Sequence, residues 1–453
     1  MLFDGSDKVH IVGIGGSGMS ALATILLQRK IPVSGSDLRD SVVLDRLRAG
    51  GATVYIGHRS EQVGDASVVA YSSAIAKTNP EILFAKEHGL KVLSRAELLK
   101  VVVSQQKAIL IGGTHGKTTT TSMVSLILLN AEVDPSYLVG GELNEVGASG
   151  RSGGGEYFVV EADESDGTFL TLRPYLSVLT NVEVDHLEHF GSVERLRDDF
   201  RSFVTASTLP AVVCVDDEGA RSISDGVSRL TYGTRDDSDL RIRNLALAPH
   251  ITTFELFLRG RRLGQIDLPV PGVHNALNAT AAIAVSVALG IDFDLAAQSL
   301  SRYLGVARRF QLKRVTDGVR FVDDYAHLPT EIRATLQSAR QVSPNRVVAV
   351  FQPHRYSRTK LLGVELGEAL GAADIAVVTG IYGAGEDPIP GVSAESVFEG
   401  ARAILGDRAI FVPRRSELAK TVKKLLAPGD LCLSLGAGDV SLLESEIALV
   451  EDD

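Results

Sequence analysis

A short loop near residue 115 combines the residue types that bind phosphate groups. It reads IGGTHGKTTTTS from position 111 and lies between an apolar, strand-like run and a helical pattern. Its glycines let backbone amides approach phosphate oxygens without interference from a Cβ atom. Lys117 supplies a positive charge for β- and γ-phosphates, and the hydroxyl of Thr118 can ligate Mg²⁺. The nucleotide-binding residues predicted here are Gly112, Gly113, Thr114, His115, Gly116, Lys117 and Thr118.

This loop is one residue shorter than the common phosphate-binding loop. That motif reads G-x-x-x-x-G-K-[ST], and counting back from Gly116 places Ile111 where its first glycine belongs. The glycines, the lysine and the threonine all remain, so a purely structural turn is the less favoured interpretation. Compared with the longer motif, we expect the backbone of this loop to follow a different path but to present the same positive charge to phosphates.

Two strand-like runs further along the chain end near residues that can bind a metal ion. YFVVE ends on Glu161, and LSVLT is followed, six residues after Thr180, by His186. Because parallel strands end at the same edge of a sheet, we expect both residues beside the phosphate loop. A carboxylate and an imidazole there could hold one or two Mg²⁺ ions, although each alone could be an ordinary surface residue. The predicted metal ligands are Thr118, Glu161 and His186.

A second glycine-rich loop, GIGGSG at positions 13–18, also lies between a strand-like run and a helical pattern. It fits G-x-G-x-x-G, and Asp37 follows at the end of the next strand. Exposed amides at a positive helix N-terminus suit a diphosphate group. A plain turn or a nicotinamide site would leave the same pattern, so the motif predicts only a ligand that carries a diphosphate.

Polar residues near the middle of the chain could contact a nucleotide. Asn275 and Asn278 lie three apart at the start of a helix, and an amide offers the donor and acceptor that match the N6/N7 edge of adenine. A helix cap with a polar surface residue is the alternative. Arg309 could stabilise charge on a transferred phosphoryl group, whereas its neighbour Arg308 is interpreted as a solvated side chain.

The segment FQPHRYSRT follows another strand-like run, VVAVF. It therefore places His354, Arg355 and Arg358 at the carboxyl edge of a sheet. Two guanidinium groups three residues apart can bind a carboxylate through bidentate hydrogen bonds. A solvated basic turn is the alternative interpretation.

Strand-like runs alternate with helical patterns along the chain, which predicts parallel sheets with helical crossovers. At 453 residues the chain is long for one hydrophobic core. We predict an α/β protein with a Rossmann-like domain over residues 1–103, a central P-loop ATPase-type domain over 104–306 and a second Rossmann-like domain over 307–453.

Composition excludes several classes of protein. Hydrophobic residues make up 45% of the chain, charged residues 23%, and the net charge is −10, which is typical of a soluble globular protein and disfavours nucleic acid as a partner. The chain lacks the pattern of a signal peptide and any long apolar run, so we expect no membrane insertion. Cys214 and Cys432 stand alone in apolar runs, which fits buried thiols in a reducing cytoplasm.

Taken together, the motifs resemble the Mur ligase family. The short loop GTHGKTT is similar to the form of phosphate loop that this family uses in place of the longer one. The other motifs follow in the family's order from residue 9 to about residue 390: GIGGSGMSALA, EADESD, TNVEVDH, GVHNALNATAA, GVARRFQ, DDYAHLPTE and FQPHRYSRT.

This resemblance implies a bacterial cytoplasmic enzyme that requires ATP and Mg²⁺, as a monomer or weak homodimer. It implies ligation of L-alanine to the lactyl carboxylate of UDP-N-acetylmuramate through an acyl phosphate, a step in peptidoglycan precursor synthesis. Within the family, the alternative is a ligase that reattaches recycled tripeptide to the same UDP-sugar. Outside it, an ATP-gated binding switch is the alternative, while a nicotinamide oxidoreductase would explain only residues 9–37.

The resemblance also assigns residues to substrates. Asn275 and Asn278 would contact adenine, and Asp324 the ribose of ATP. The residues implied for the UDP-sugar are Gly15, Gly16, Ser17, Gly18, Met19, Asp37, His58, Ser72 and Ser73. Those implied for the amino acid are His327, His354, Arg355 and Arg358. The implied catalytic residues are Lys117, Glu161, His186, Arg309, His327 and Arg358.

In two respects this sequence differs from other members of the family. Two adjacent histidines are common in the motif YAHLP, but here Leu328 follows His327. In several members a lysine of the central domain carries a carbamate that helps to hold a second Mg²⁺. No lysine occurs between Lys117 and Lys313, so we expect this chain to work without that modification.

Overall fold

A computed structural model describes residues 7–72, 74–144, 146–162, 168–183, 190–248, 251–343 and 345–450. The described chain forms two compact units. The first comprises residues up to 245 together with 253–268 and 276–304. The second comprises residues 246–252, 269–275 and the chain from 305 onward.

The first sheet has five parallel strands in the order β3-β2-β1-β4-β5. Its strands are β1 (Val9–Val12), β2 (Val33–Asp37), β3 (Thr53–Ile56), β4 (Val68–Tyr71) and β5 (Lys91–Ser94). The helices between and after them are α1 (Ser17–Gln28), α2 (Val42–Ala49), α3 (Pro80–Glu87) and α4 (Arg95–Val103). The strand order reverses between β1 and β4, which is where doubly wound sheets bind ligands at their carboxyl edge.

The second sheet has ten strands in the order β15-β14-β13-β12-β11-β10-β6-β9-β7-β8. The strands are β6 (Lys107–Gly112), β7 (Ser136–Leu143), β8 (Ala148–Arg151), β9 (Tyr157–Glu161), β10 (Leu176–Leu179), β11 (Ala211–Cys214), β12 (Arg229–Gly233), β13 (Leu240–Ala248), β14 (Ile251–Leu258) and β15 (Arg261–Leu268). The helices are α5 (Lys117–Asn130), α6 (Thr168–Thr171), α7 (Val193–Thr205), α8 (Glu218–Ile223), α9 (Val273–Leu289) and α10 (Phe293–Leu300). β6 lies between β9 and β10 and runs parallel to both, so all three strands end at one edge.

The third sheet has six strands in the order β16-β17-β21-β18-β19-β20, and all are parallel except the edge strand β16. The strands are β16 (Gln311–Thr316), β17 (Val319–Asp324), β18 (Val347–Phe351), β19 (Ile375–Thr379), β20 (Ala409–Val412) and β21 (Leu431–Leu435). The helices are α11 (Pro329–Val342), α12 (Tyr356–Ala369), α13 (Glu395–Leu405), α14 (Leu418–Leu425) and α15 (Leu443–Leu449).

Burial explains why the central strands are almost wholly apolar. A parallel sheet is covered by helices on both faces, so its inner strands read as continuous hydrophobic runs. Every residue of β1, β10, β18 and β21 is buried. In the first unit, one hydrophobic core includes Leu22 of α1, Leu138 of β7 and Phe158 of β9, so the first two sheets share a core.

Helix α5 is buried along most of its length although it is rich in hydroxyl groups. Some of these groups bond within the helix: the hydroxyls of Thr121 and Ser125 donate to the carbonyls of Lys117 and Thr121, four residues earlier. Others bond to neighbouring elements, as Thr118 does to Glu161 and Thr120 to Asn278. A short side chain that bonds to its own helix can be buried without a partner elsewhere. Helix α5 therefore packs tightly directly behind the phosphate loop.

These three sheets confirm the predicted fold class. The predicted domain boundaries at residues 103/104 and 306/307 remain a prediction. No helix among the described residues is long and apolar enough to cross a membrane.

Candidate functional site

The loop between β6 and α5 has a backbone that requires glycine at two positions. Gly113 has φ +129°, and a Cβ atom there would lie 2.2 Å from Oγ1 of Thr180. Gly116 has φ +79°, and a Cβ atom there would lie 2.5 Å from Oδ1 of Asn278. Side chains at these positions would be strained and would clash. The shortened loop is therefore a closely packed turn between β10 and α9.

Lys117 is the first residue of α5, and its ammonium group lies over the loop. Nζ donates to the carbonyls of Gly113 at 2.7 Å and Thr114 at 3.2 Å. The first amides of a helix have no acceptor within the helix and form a positive end. The loop thus combines an ammonium group with the N-terminus of α5, which suits a polyphosphate.

Glu161, at the end of β9, meets the phosphate loop as the sheet topology predicts. The hydroxyl of Thr118 lies 3.1 Å from Oε1 and 2.9 Å from Oε2 of this carboxylate. The backbone amide of Gly140 donates to Oε2 at 2.8 Å and holds the carboxylate in place. A hydroxyl and a carboxylate at the end of a phosphate loop are oxygen ligands that fit Mg²⁺.

The third predicted metal ligand, His186, lies outside the described residues. Within the described ranges, no group of three or more His, Cys, Asp or Glu side chains is placed to hold a metal ion. Mg²⁺ usually keeps several waters and takes one or two carboxylates together with substrate phosphates. The pair of Thr118 and Glu161 is consistent with that mode of binding.

A segment that follows β10 packs along the phosphate loop; the sequence showed it as the motif TNVEVDH but indicated no role for Asn181 or Glu183. The hydroxyl of Thr180 donates to the carbonyl of His115 at 2.6 Å. The amide of Glu183 donates to Oγ1 of Thr114 at 2.9 Å, and the Glu183 carboxylate lies 3.1 Å from Nε2 of His115. Asn181, between them, contacts the loop through both ends of its amide. The available signal was an Asn-containing segment, TNVE, directly after a strand next to β6.

The first glycine loop lies where the strand order of the first sheet reverses. The amide of Gly15 donates to Oδ2 of Asp37 at 2.9 Å, so the loop and the acidic residue at the end of β2 are in contact. Gly16 precedes α1, whose first residue is Ser17. Gly18 faces Arg95 of α4, a residue missed from the sequence: a Cβ atom at Gly18 would lie 2.5 Å from its Nε.

The other residues predicted for the UDP-sugar differ in how they are placed. Met19 is 1% exposed and packs in the core, so only its backbone could face a ligand. The amide of Ser72 donates to the carbonyl of Val12 at 3.1 Å, next to the glycine loop. Ser73 lies outside the described residues.

His58 belongs to a buried polar cluster in the first sheet. Its Nδ1 atom lies 2.8 Å from Oγ of Ser36 and 3.3 Å from Oε2 of Glu81. Burial raises the pKa of Glu81, but the nearby His10 and the hydrogen bond from Ser36 outweigh it, and the pKa stays below its ordinary value. Nε2 of His58 is also buried. The geometry therefore gives His58 a structural role, and its contact with the UDP-sugar remains a prediction.

The two predicted adenine residues both lie near the start of α9 and make different contacts. Asn278 belongs to the first unit, and its Oδ1 accepts a hydrogen bond from Thr120 of α5 at 3.2 Å. Asn275 belongs to the second unit, and its Nδ2 donates to the carbonyl of Pro271 at 2.7 Å. Asn278 is therefore directly behind the phosphate loop, while Asn275 fixes the turn before α9.

In the second unit, three of the predicted amino-acid residues cluster at the carboxyl edge of the third sheet. Arg358 is 8% exposed, and its Nη1 lies 3.3 Å from Nδ1 of His354. The rings of His327 and His354 pack edge to face with centroids 5.9 Å apart. His354 also stacks on Tyr382, with centroids 5.8 Å apart.

Arg355 precedes α12 with φ +71°, a conformation that is rare for a residue other than glycine. Its amide donates to the carbonyl of Tyr382 at 2.8 Å, which holds the turn. Such strained positions concentrate at functional sites. The strain sets the direction in which the chain enters α12, and Arg358 follows within its first turn.

The orientation of His327 is set by its neighbours. Its Nδ1 atom lies 2.9 Å from the carbonyl of Tyr325, and its backbone amide donates to Oε2 of Glu331 at 2.9 Å. A carbonyl next to Nδ1 makes that nitrogen the N–H donor of the neutral ring. Leu328 is 6% exposed and packs in the core, so apolar burial replaces a second imidazole at this position.

Asp324 and the two arginines of ARRF surround the end of β17. Asp324 accepts hydrogen bonds from the amides of Phe310 at 2.7 Å and Ala326 at 2.8 Å, and burial raises its pKa to about 6. The guanidinium of Arg309 lies over the ring of Tyr325 at 5.3 Å. The contacts of Asp324 with ATP ribose and of Arg309 with phosphate remain predictions.

Arg308 is not the solvated side chain expected from the sequence. Its Nε donates to the buried carboxylate of Asp323 at 3.1 Å, and its Nη2 donates to the carbonyls of Gly436 at 2.6 Å and Gly438 at 3.2 Å. The reason is topological: β17 and β21 are neighbouring strands, so the loop after β21 lies next to Arg308, which precedes β16. Sequence position alone did not show this.

His354 should couple the stability of the protein to pH. Burial, then the nearby His327 and Arg358, lower its pKa from 6.5 to about 3. Between these two pH values the imidazole is protonated in the unfolded chain and neutral in the folded chain. The free energy of unfolding therefore falls as the pH drops below 6.5. From pH 7 to pH 5 this group alone should cost about 2 kcal/mol of unfolding free energy.

The check is denaturant unfolding at pH 7 and pH 5. His354→Gln should lose less stability than the parent on acidification, because the group that resists protonation is gone. His88→Gln is the matched control, since His88 is exposed and stacks on Phe84. If the His354→Gln and His88→Gln variants respond equally to pH, the ring of His354 is not held neutral.

Comparison with family models agrees with the three sheets. A model described as "Mur ligase family, catalytic domain" matches residues 8–107. "Mur ligase middle domain" matches residues 111–286, and "Mur ligase, glutamate ligase domain" matches residues 308–438.

Similar proteins cover nearly the whole chain. A UDP-N-acetylmuramate–L-alanine ligase of Pelotomaculum thermopropionicum is 45% identical over 443 residues, with 96% of each chain covered. One of Solidesulfovibrio magneticus is 46% identical over 440 residues, again with 96% of each covered. The crystal structure of UDP-N-acetylmuramate-alanine ligase from Thermotoga maritima matches with a TM-score of 0.85 at 30% identity, and a murein peptide ligase from Psychrobacter arcticus with 0.74 at 22% identity. Both structural matches cover 98% of each chain.

Proposed function

The chain belongs to the Mur ligase family, and from this premise we propose that it joins L-alanine to the lactyl carboxylate of UDP-N-acetylmuramate. The reaction is driven by ATP and yields UDP-N-acetylmuramoyl-L-alanine, ADP and phosphate for peptidoglycan synthesis. The observation that carries the proposal is near-full-length similarity to ligases of that name. The 22% identical murein peptide ligase supports the fold alone.

The chemistry explains why a phosphate loop and a guanidinium cluster occur in one enzyme. A carboxylate does not react with an amine at neutral pH until it is activated. An oxygen of the lactyl carboxylate attacks the γ-phosphorus of ATP, and the bond from this phosphorus to the bridging oxygen of ADP breaks. The amine of alanine then attacks the acyl carbon, and phosphate leaves with the electrons of the acyl C–O bond.

The phosphate loop supplies the charge for the first step. Lys117 and the amides at the start of α5 bind the β- and γ-phosphates and stabilise charge as the phosphoryl group moves. Thr118 and Glu161 would hold Mg²⁺, which supplies charge neutralisation between the phosphate oxygens when bound. His186 is proposed as a further ligand from the family motif. Arg309 is proposed to stabilise the same phosphoryl group.

The residues around α12 orient the amino acid. Arg355 and Arg358 are proposed to bind the α-carboxylate of alanine, which leaves the amine free to attack. His354 stays neutral because its pKa is lowered to about 3, so the positive charge here comes from the guanidinium groups. His327, whose Nδ1 lies 2.9 Å from the carbonyl of Tyr325, is proposed to contact the amino acid beside His354.

We further propose that the three predicted domains bind the UDP-sugar, ATP and the amino acid, in chain order. Support for the division comes from three separate family models that match three successive parts of the chain. We place the enzyme in the bacterial cytoplasm, because ATP and nucleotide sugars are cytoplasmic compounds.

The test is ADP release by purified protein with ATP, Mg²⁺ and UDP-N-acetylmuramate. Each of the twenty amino acids is supplied in turn, and L-alanyl-γ-D-glutamyl-meso-diaminopimelate is supplied separately. We expect fast release with L-alanine and product of the corresponding mass. Release with the tripeptide but not with L-alanine would favour the recycling ligase. Binding of ATP without ligation of any acceptor would favour a binding switch.

A further inference from the structure

The side chain of Asn181 binds both backbone polar groups of one residue of the phosphate loop, His115. Its Oδ1 accepts the backbone N–H of His115 at 2.7 Å, and its Nδ2 donates to the backbone carbonyl of the same residue at 3.1 Å. The backbone of Asn181 adds a third bond, because its carbonyl accepts the N–H of Thr114 at 3.1 Å. A single residue after β10 thus controls two consecutive residues of the loop.

These bonds engage two backbone amides of the loop. The N–H groups of Thr114 and His115 both donate to Asn181, so they are directed at β10 and not into the loop. The first amides of α5, from Lys117 onward, have no acceptor within the helix. With the amides of Thr114 and His115 bonded to Asn181, we expect the positive N-terminus of α5 to be the part of the loop that faces the phosphates.

The segment around Asn181 is itself anchored in the scaffold. The amide of Val182 donates to Oδ1 of Asp217 at 3.0 Å, and the same oxygen accepts the amide of Ala220 at 2.7 Å in the first turn of α8. On the other side, the hydroxyl of Thr180 donates to the carbonyl of His115 at 2.6 Å. The position of Asn181 is therefore set by its contacts with β10 and α8, and its bonds to His115 hold the loop relative to these elements.

We propose that Asn181 is a positioning residue for the nucleotide: it holds the short phosphate loop in the conformation that binds the phosphates of ATP and ADP. Donors that are already in place need no rearrangement when the ligand binds, so less binding free energy is lost in ordering the loop. Asparagine is required because an amide carries a donor and an acceptor on one planar group. Aspartate keeps an acceptor for the N–H of His115 but loses the donor to its carbonyl.

The inference rests on the proposed function for its kinetic readout, but not for its binding readout. Asn181→Ala and the isosteric Asn181→Asp are compared with the parent by calorimetric titration with ADP and Mg²⁺. Asn345→Ala is the matched control, because Asn345 also donates from Nδ2 to a backbone carbonyl, that of Gly429, in the second unit. Circular dichroism and melting temperature verify that each variant is folded.

We expect Asn181→Ala to weaken ADP binding about ten- to hundredfold, as two side-chain bonds to the loop are lost. The KM for ATP should rise by a similar factor, while the KM values for alanine and the UDP-sugar stay within about twofold. Asn345→Ala should bind ADP like the parent. Folded Asn181→Ala and Asn181→Asp variants with parental ADP affinity would overturn the proposal.

The proposed function and the positioning role of Asn181 can be refuted independently. If the parent binds ADP but ligates no alanine, the proposed function fails and the titration still tests Asn181. If Asn181→Ala fails to fold, the Asn181→Asp titration decides, since this side chain has the same size. Equal increases in the KM values of all three substrates would show a general loss of structure and count against a positioning role.

Discussion

Replacing Lys117 by alanine is expected to abolish ATP-dependent ligation, with kcat/KM for ATP lowered about a thousandfold or more. The ammonium group lies over the phosphate loop, within 2.7 Å of the carbonyl of Gly113, and no neighbouring lysine on α5 can substitute for it. Phosphoryl transfer depends on positive charge that is already positioned beside the phosphates. Removal of the ammonium group should therefore lower mainly the rate of the chemical step. ADP release at saturating alanine and UDP-sugar measures it.

Binding of the UDP-sugar should survive this change. The glycine loop after β1 and the phosphate loop after β6 belong to different sheets, so calorimetric titration with UDP-N-acetylmuramate should give the parental affinity. Lys107→Ala is the control, because Lys107 starts the same strand but pairs with Glu156 at the surface, at 2.6 Å. Simultaneous loss of ligation and UDP-sugar binding in a folded Lys117→Ala variant would contradict the assignment of the two loops.

Replacing Arg358 by alanine should raise the KM for alanine far more than the KM for ATP. Loss of one charge-assisted contact with a carboxylate costs on the order of 1.5–3 kcal/mol, or roughly ten- to hundredfold. The side chain is 8% exposed and contacts His354, so a cavity adds some loss of stability. Steady-state kinetics with each substrate varied in turn separates these effects.

Two further variants make the result specific. Arg358→Lys keeps the charge and most of the volume but cannot form a bidentate contact, so its KM for alanine should lie between parent and Arg358→Ala. Arg340→Ala removes a surface arginine of the same unit, paired with Asp374 at 2.6 Å, and should leave both KM values unchanged. Equal changes in the alanine and ATP parameters of Arg358→Ala would exclude a carboxylate clamp.

Local sequence patterns predicted the parts of the site that depend on one loop. Gly113 and Gly116 could be recognised because positive φ angles and close packing permit few other residues. Asp37 could be placed beside Gly15 because a strand–loop–helix unit followed by a second strand has a regular geometry. Glu161 followed from the rule that parallel strands end at one edge, and the structure brings it to Thr118.

Contacts between distant segments could not be predicted in this way. Asn181 follows a strand as Glu161 does, yet its contact with His115 depends on β10 lying next to β6. The sequence named His58 as a ligand residue, which remains a prediction, but it did not show the contact with Glu81, 23 positions later, in a buried cluster. Arg308 looked solvated until the neighbouring β21 brought the carbonyl of Gly436 to its guanidinium.

The sequence by itself therefore determined the three-sheet α/β fold, the two glycine loops and the residue types that can bind phosphate and carboxylate. Each of these depends on periodicity or on backbone conformations that few residues adopt, and such information is local in the chain. Only the tertiary structure decided which loop amides bond to Asn181 and which polar side chains are buried among partners. Strand order controls those outcomes, because it brings together groups that are more than 60 residues apart, as in Asn181 and His115.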